Sequence, residues 1–150
     1  MSSGRIQWLM ASTGPLGRLG SRLHARLFRA TNGRFGRRWF GAPVMVLETV
    51  GRRSGKVRSS PVLCLRDGDD LVVVPANAGA ARPPAWWLNL RDAGEGVAVV
   101  GDERRRVRPR VTEGAERERL WHEFVRMYPQ AEDYTRFTTR RFPVVVLEKV

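Results

Sequence analysis

From residue 43 onward the sequence is a series of short β-branched runs separated by turn residues, and this pattern constrains the fold more than any other feature. Six runs predict strands: residues 44–50, 61–65, 71–74, 96–100, 104–111 and 143–147. Two helices are predicted between them, at residues 85–92 and 115–128. Mostly antiparallel strands with few helices favour a barrel, which removes exposed sheet edges. We therefore expect a mainly β (α+β) fold, a six-stranded antiparallel barrel, closed or split, with flanking helices.

Length and composition fit one domain that is preceded by an N-terminal arm. The chain has 150 residues, of which 42% are hydrophobic and 28% charged, as is ordinary for a globular protein with one core. Residues 42–150 carry the strand pattern and form the predicted barrel domain. Residues 1–41 form a predicted basic amphipathic arm. Its leucines and arginines fall on opposite sides of a helix: Leu16, Leu19, Leu23 and Leu27 against Arg18, Arg22, Arg26 and Arg29.

The arm has two interpretations. Either it packs across the barrel with its basic side in solvent, or it lies on an anionic bilayer with its arginines facing the headgroups. In the second case four aromatic side chains would reach below the headgroups: Trp8, Phe35, Trp39 and Phe40. No run approaches the roughly 18 apolar residues of a spanning helix, and the start lacks a secretory apolar core. We expect a cytoplasmic protein, peripheral at the inner face of the cell membrane if the arm binds lipid.

The net charge of +12 favours an anionic partner, which could be nucleic acid, a membrane surface or a small molecule. Nucleic acid fits least, because the basic residues form no known recognition pattern and the tandem tryptophans would be left unexplained. Cys64 is the only cysteine, and His24 and His122 stand apart in the sequence, so neither a disulfide nor a metal site is expected.

One segment concentrates cations around a turn. Directly after the first predicted strand the sequence reads Thr-Val-Gly-Arg-Arg-Ser-Gly-Lys-Val-Arg-Ser-Ser-Pro, residues 49–61. We call residues 51–58 the cationic turn: two glycines bracket it, its backbone N–H groups can point one way, and it carries four cations and a serine. It is not a nucleotide-triphosphate loop, because the glycine spacing is too short and no helix pattern follows. The residues alone are compatible with phosphate binding or with a solvated basic hairpin.

Three ordered blocks between residues 43 and 150 resemble the deazaflavin-dependent nitroreductase family. The first is similar to the family pattern Thr-x-Gly-Arg-x-Ser-Gly-x-x-Arg-x-x-Pro. The second, residues 73–90, ends in Pro-Ala-Trp-Trp-Leu-Asn-Leu, and the third joins Met-Tyr-Pro at 127–129 to Arg-Phe-Pro-Val-Val-Val-Leu at 141–147. The resemblance implies a split β-barrel of the FMN-binding type that binds coenzyme F420, a deazaflavin with a polyanionic tail. FMN is the less favoured cofactor.

The resemblance also implies which residues bind this cofactor. The cationic turn would hold phosphate and carboxylates, Pro61 would shape the next strand, and Asn77 with Gly79 would line the path to the ring. Trp86 and Trp87 would close over the pocket, although one of them could instead be an ordinary core residue. The expected cofactor-binding residues are Gly51, Arg52, Arg53, Ser54, Gly55, Lys56, Arg58, Pro61, Ala76, Asn77, Ala78, Gly79, Trp86 and Trp87.

The reaction that the resemblance implies is hydride transfer from the reduced deazaflavin to an electron-poor acceptor such as a quinone, a nitro compound or an activated alkene. Tyr134 is the first candidate for donating a proton or a hydrogen bond, and Tyr128 the second. Either tyrosine could instead be a packed residue at a helix end. Ala131 and Trp87 stand where nitro-reducing members carry tyrosines, which argues against assuming a nitro substrate.

Two other functions stay open at the level of sequence. One is a basic nucleic-acid-binding module, and the other is a cofactor-binding protein without turnover. The sequence is compatible with a monomer or a homodimer.

Overall fold

The computed structural model describes residues 38–39 and 42–150, and in this part of the chain the strands form one curled antiparallel sheet. The strands are β1 (Arg38–Trp39), β2 (Ala42–Val50), β3 (Val57–Leu63), β4 (Leu65–Asp67), β5 (Asp70–Val73), β6 (Gly96–Val100), β7 (Glu103–Val111) and β8 (Val145–Lys149). The helices are α1 (Ala85–Ala93), α2 (Gly114–Met127) and α3 (Gln130–Tyr134), with a short 3-10 turn, η1, at Asn77–Gly79. The expected arm, residues 1–41, lies outside the described residues apart from β1, so its role stays a prediction.

The sheet curls because its two edges belong to one bent stretch of chain. β2 pairs with β3 on one side and with β6 on the other, and the order continues through β7, β8 and β5 to β4. β3 and β4 are separated only by Cys64, whose N–H donates to the carbonyl of Pro43 at 3.0 Å. One bent stretch therefore pairs with β2 at one edge and with β5 at the other. This is the split barrel expected from the sequence, and the fold class is confirmed.

The number and limits of the strands differ from the sequence prediction. Residues 61–65 were expected to form one strand, but the chain breaks at Cys64, and β3 begins earlier, at Val57. Together with the two-residue β1, this gives eight strands in the described residues where six were expected. The extra length of β3 comes from pairing with β2, from Val50 opposite Val57 to Val44 opposite Leu63.

Two apolar cores lie on opposite faces of the sheet, because side chains alternate along each strand. Leu71 and Val73 of β5 point into the barrel, where Trp87 and Leu90 of α1 pack with them. Val72, together with Val74 beyond the strand, points outward and is covered by α2 through Leu120 and Phe124. This second core fixes α2 and α3 against the outside of the barrel. None of the described helices is long and apolar enough to cross a membrane.

Candidate functional site

The cationic turn is a tight hairpin connection whose shape depends on its glycines. The N–H of Gly51 donates to the carbonyl of Lys56 at 2.7 Å, and the N–H of Gly55 donates to the carbonyl of Gly51 at 2.8 Å. A Cβ on Gly51 would lie 2.6 Å from the Ser54 hydroxyl oxygen, and Gly55 has a φ of +69°. Both positions therefore favour glycine for steric reasons.

The turn presents side chains, rather than a backbone cradle, to an anion. Besides the two glycine N–H groups, the N–H of Lys56 is bound to the Ser54 hydroxyl at 3.2 Å and that of Arg52 to the side-chain carbonyl of Asn89 at 3.1 Å. Four of its N–H groups are thus already committed within the protein. These four groups are not available to a ligand, so anion binding at this turn would depend mainly on the cations.

The four cations have different surroundings. Arg52 Nη1 donates to Asn89 Oδ1 at 3.2 Å, and Arg58 Nη2 donates to the Ser54 hydroxyl at 3.3 Å. Within the described residues, no hydrogen bond or ion pair involves the side chains of Arg53 and Lys56, which are both exposed. Arg53 and Lys56 are therefore the cations best placed to bind an external anion.

Asn89 is a site residue that sequence reasoning missed. It is 5% exposed and lies in α1, three residues after Trp86, yet its Oδ1 accepts both hydrogen bonds from Arg52. The amide therefore ties the cationic turn to α1. The signal was an amide in an otherwise apolar Trp-Trp-Leu-Asn-Leu run, where a buried polar group needs a partner.

A cavity of about 310 Å³ lies between β3, the segment around η1, α1 and the α2–α3 pair. Its size is at the lower end of the range of small-molecule sites. Seven of the expected site residues line it: Pro61, Ala76, Asn77, Ala78, Trp86, Tyr128 and Tyr134. Ala131, which is 1% exposed, also lines it, between the two tyrosines along the chain. The cationic turn does not line this cavity.

The two tryptophans have different positions. Trp86 lines the cavity, whereas Trp87 is 6% exposed and packs in the barrel core with Leu90. Adjacent residues on a helix point about 100° apart, so one of them turns inward when the other faces the cavity. The expectation that both tryptophans close over the pocket is therefore corrected. Gly79 is likewise buried against the carbonyl of Tyr134 and does not line the cavity.

Tyr128, directly after α2, and Tyr134, at the end of α3, form a hydroxyl pair and both line the cavity. The two hydroxyl oxygens of Tyr128 and Tyr134 lie 2.7 Å apart, and the ring centroids are 6.1 Å apart. Burial, together with the hydrogen bond to Tyr134, raises the pKa of Tyr128 to about 12. Tyr128 is therefore protonated at neutral pH, and a pair of hydroxyls can donate one hydrogen bond within the pair and another to a ligand oxygen.

The cationic turn and the cavity are joined by two rigid elements. Arg58 and Pro61 lie on β3, three residues or about 10 Å apart along the strand. Trp86 and Asn89 lie on α1, three residues or about 4.5 Å apart along the helix axis. An extended molecule with an anionic end and a flat apolar end could therefore contact both places at once.

Comparisons with known proteins identify the family of the chain. The family model described as F420H(2)-dependent quinone reductase matches residues 20–149. An F420H(2)-dependent quinone reductase of Mycobacterium tuberculosis (strain H37Rv) is 34% identical over 134 residues, which are 85% of this chain and 89% of that protein.

Two solved structures have a similar fold. One, described as an F420-H2 dependent reductase (FDR-A), has a TM-score of 0.65 and 29% identity over 71% of this chain and 94% of that one. The other, described as a domain-swapped dimer, has a TM-score of 0.66 and 26% identity over 87% and 97%.

Proposed function

The chain belongs to the F420H(2)-dependent quinone reductase family, and on that basis we propose that it reduces a quinone with the hydride of reduced coenzyme F420. One observation carries the proposal. A cavity lined by Trp86, Tyr128 and Tyr134 is joined, through β3 and α1, to a turn with two exposed cations, Arg53 and Lys56, that have no partner among the described residues.

The residues present fit a deazaflavin with a polyanionic tail. Arg53 and Lys56 would bind the carboxylates and phosphate of the tail, and Arg52 and Arg58 would add to the positive potential from fixed positions. The apolar walls around Trp86 would hold the flat ring and exclude water from it. The bound cofactor supplies a hydride.

A quinone needs one proton in addition to the hydride to become a hydroquinone. The Tyr128–Tyr134 pair would donate a hydrogen bond to the quinone oxygen that gains negative charge. Either hydroxyl can donate to the other, and the one that accepts keeps its own proton for the ligand oxygen. A pKa of about 12 makes Tyr128 too weak an acid for efficient proton release near pH 7, so Tyr128 orients and stabilises the acceptor while the proton comes from solvent.

The small apolar side chain of Ala131 favours a flat acceptor whose only polar groups are carbonyl oxygens, such as a quinone. Its methyl group adds no hydrogen-bonding group to the wall beside the two hydroxyls, so the wall presents one polar edge and an apolar surface. A quinone, which is a flat ring with carbonyl oxygens at its edge, matches that wall. Nitro compounds and activated alkenes are secondary candidates.

The test is to mix the purified full chain with reduced F420 and a soluble quinone and to follow the absorbance of the oxidised deazaflavin. We expect one hydroquinone for each cofactor oxidised, and no comparable oxidation of reduced FMN or of NADPH. The proposal is contradicted if the chain binds F420 but oxidises reduced F420 no faster with a quinone than without one.

A further inference from the structure

The wall of the cavity at η1 has an unusual backbone. Asn77, Ala78 and Gly79 are three consecutive residues with positive φ, at 48°, 52° and 81°. Glycine adopts this conformation freely and asparagine tolerates it, but alanine in it costs about 1–2 kcal/mol. A Cβ on Gly79 would lie 2.7 Å from the carbonyl oxygen of Tyr134, so η1 is pressed against the end of α3. Surrounding contacts must therefore hold the turn in place.

One side chain, Arg140, supplies most of these contacts. Its Nη1 donates to the carbonyl of Pro75 at 3.1 Å, and its Nη2 donates to the carbonyls of Ala76 at 2.8 Å and Ala80 at 3.1 Å. Its Nε donates to Ala80 as well, at 3.4 Å. A single guanidinium thus holds the chain both before and after η1.

Arg140 is itself held in place by Phe142 and Thr138. Its guanidinium carbon lies 4.9 Å from the centroid of the Phe142 ring, and Phe142 is 3% exposed in the same core as Tyr128 and Ala131. The backbone N–H of Arg140 donates to the hydroxyl of Thr138 at 3.1 Å. The fork of the guanidinium matches three converging carbonyls, a geometry that a lysine ammonium cannot reproduce.

We propose that Arg140 is a positioning residue for the acceptor: by holding the carbonyls on both sides of η1, it fixes Asn77 and Ala78 in the cavity wall that they share with Tyr128 and Tyr134, and so sets the shape of the acceptor site. The inference rests on the proposed function for its link to the quinone. The clamp itself is a property of the chain without any ligand.

The first test is hydrogen exchange on the ligand-free protein. The N–H groups of Gly79 and Ala80 are bound to the carbonyls of Ala76 and Asn77 at 3.0 and 2.9 Å. In Arg140→Gln we expect their exchange to be about tenfold faster, because the held turn can open. The matched control is Arg141→Gln, which removes an exposed neighbouring arginine and should leave both rates unchanged. Unchanged rates in Arg140→Gln, or equal acceleration in both variants, would overturn the clamp.

The second test separates positioning from general stability. We expect Arg140→Gln to raise the KM for the quinone about tenfold while kcat and the affinity for F420 change by less than about threefold, since the cationic turn is untouched. Arg140→Lys should behave like Arg140→Gln. Adding Ala78→Gly to Arg140→Gln should recover about half of the KM change on a logarithmic scale, because glycine needs no clamp to adopt positive φ.

The outcomes distinguish this inference from the proposed function. The positioning role is overturned if Arg140→Gln lowers the melting temperature but leaves the quinone KM unchanged. It is also overturned if adding Ala78→Gly to Arg140→Gln does not lower the raised KM. Wild-type protein that fails to oxidise reduced F420 overturns the proposed function and, with it, the link to the acceptor, whereas the exchange rates still decide whether Arg140 holds η1.

Discussion

Replacing Asn89 with leucine should loosen the cationic turn from the barrel without disturbing the fold. In the native protein the side-chain carbonyl of Asn89 accepts hydrogen bonds from the backbone N–H of Arg52 at 3.1 Å and from its guanidinium at 3.2 Å. Leucine branches at Cγ as asparagine does, is somewhat larger, and suits the apolar surroundings of α1. The substitution therefore removes two hydrogen bonds and creates little empty space.

The size of the effect follows from those two bonds. A neutral hydrogen bond contributes about 1 kcal/mol, and a bond to a charged group somewhat more, although Arg52 is exposed and partly screened, so we expect a loss of about 2 kcal/mol. For a chain of this length that corresponds to a melting temperature about 4–8 °C lower. The freed turn must then be ordered when F420 binds, at about 0.5–1.5 kcal/mol for each immobilised side chain, which weakens affinity by up to about tenfold.

The assay pairs thermal denaturation with an F420 titration for Asn89→Leu and Asn89→Asp. Aspartate keeps the oxygen that accepts both hydrogen bonds but adds a negative charge beside Arg52. Asn89→Asp should therefore melt within about 2 °C of the wild type and still bind F420 more weakly. Arg52→Gln completes a double-mutant cycle with Asn89→Leu, for which we expect a coupling energy of about 1 kcal/mol.

Two results would refute this reasoning. If Asn89→Leu melts at the wild-type temperature, the amide is not holding the turn. If Asn89→Asp binds F420 as tightly as the wild type does, the charge of the turn does not matter for the tail.

The remaining predictions concern the cavity wall. Ala78→Gly should raise the free energy of unfolding by about 1 kcal/mol in urea denaturation, because glycine adopts the positive φ of 52° without strain; no change would mean that the turn is unstrained. Because folding raises the pKa of Tyr128 from 10 to about 12, protonated Tyr128 stabilises the folded state. This stabilisation is complete below pH 10 and is lost as the pH rises through about 12. Tyr128→Phe should abolish that dependence, and a wild-type stability flat over this range would be inconsistent with it. Ala131→Leu should fill part of the cavity and raise the quinone KM several-fold with F420 affinity largely kept; an unchanged KM would place the acceptor elsewhere.

The sequence predicts the fold well because most of its strands are locally encoded. The β-branched run at residues 71–74 alternates between the two cores, and the runs at 71–74 and 96–100 correspond closely to β5 and β6. The first half of β3 reads Val-Arg-Ser-Ser and has no such signal, because pairing with β2 makes it a strand. The break at Cys64 comes from the curl of the sheet, which no local pattern encodes.

The site is predicted less completely because its important contacts are distant in sequence. The expected residues Pro61, Trp86 and Tyr134 line one cavity. Asn89 acts on a residue 37 positions away, and Arg140 on carbonyls 60 to 65 positions away, so neither contact can be inferred from neighbouring residues.

The central claim is that the exposed cations of the turn bind the tail of F420, and a charge-matched pair of double variants tests it most directly. Arg53→Gln/Lys56→Gln removes the two cations of the turn that have no partner in the described part of the chain, while Arg108→Gln/Lys149→Gln removes one arginine and one lysine from β7 and β8, away from the cavity. Titrated with F420 at low salt, the first should bind about tenfold more weakly than the wild type, a loss of about 1.4 kcal/mol, and the second within about twofold. Equal affinities for the two double variants would contradict the account.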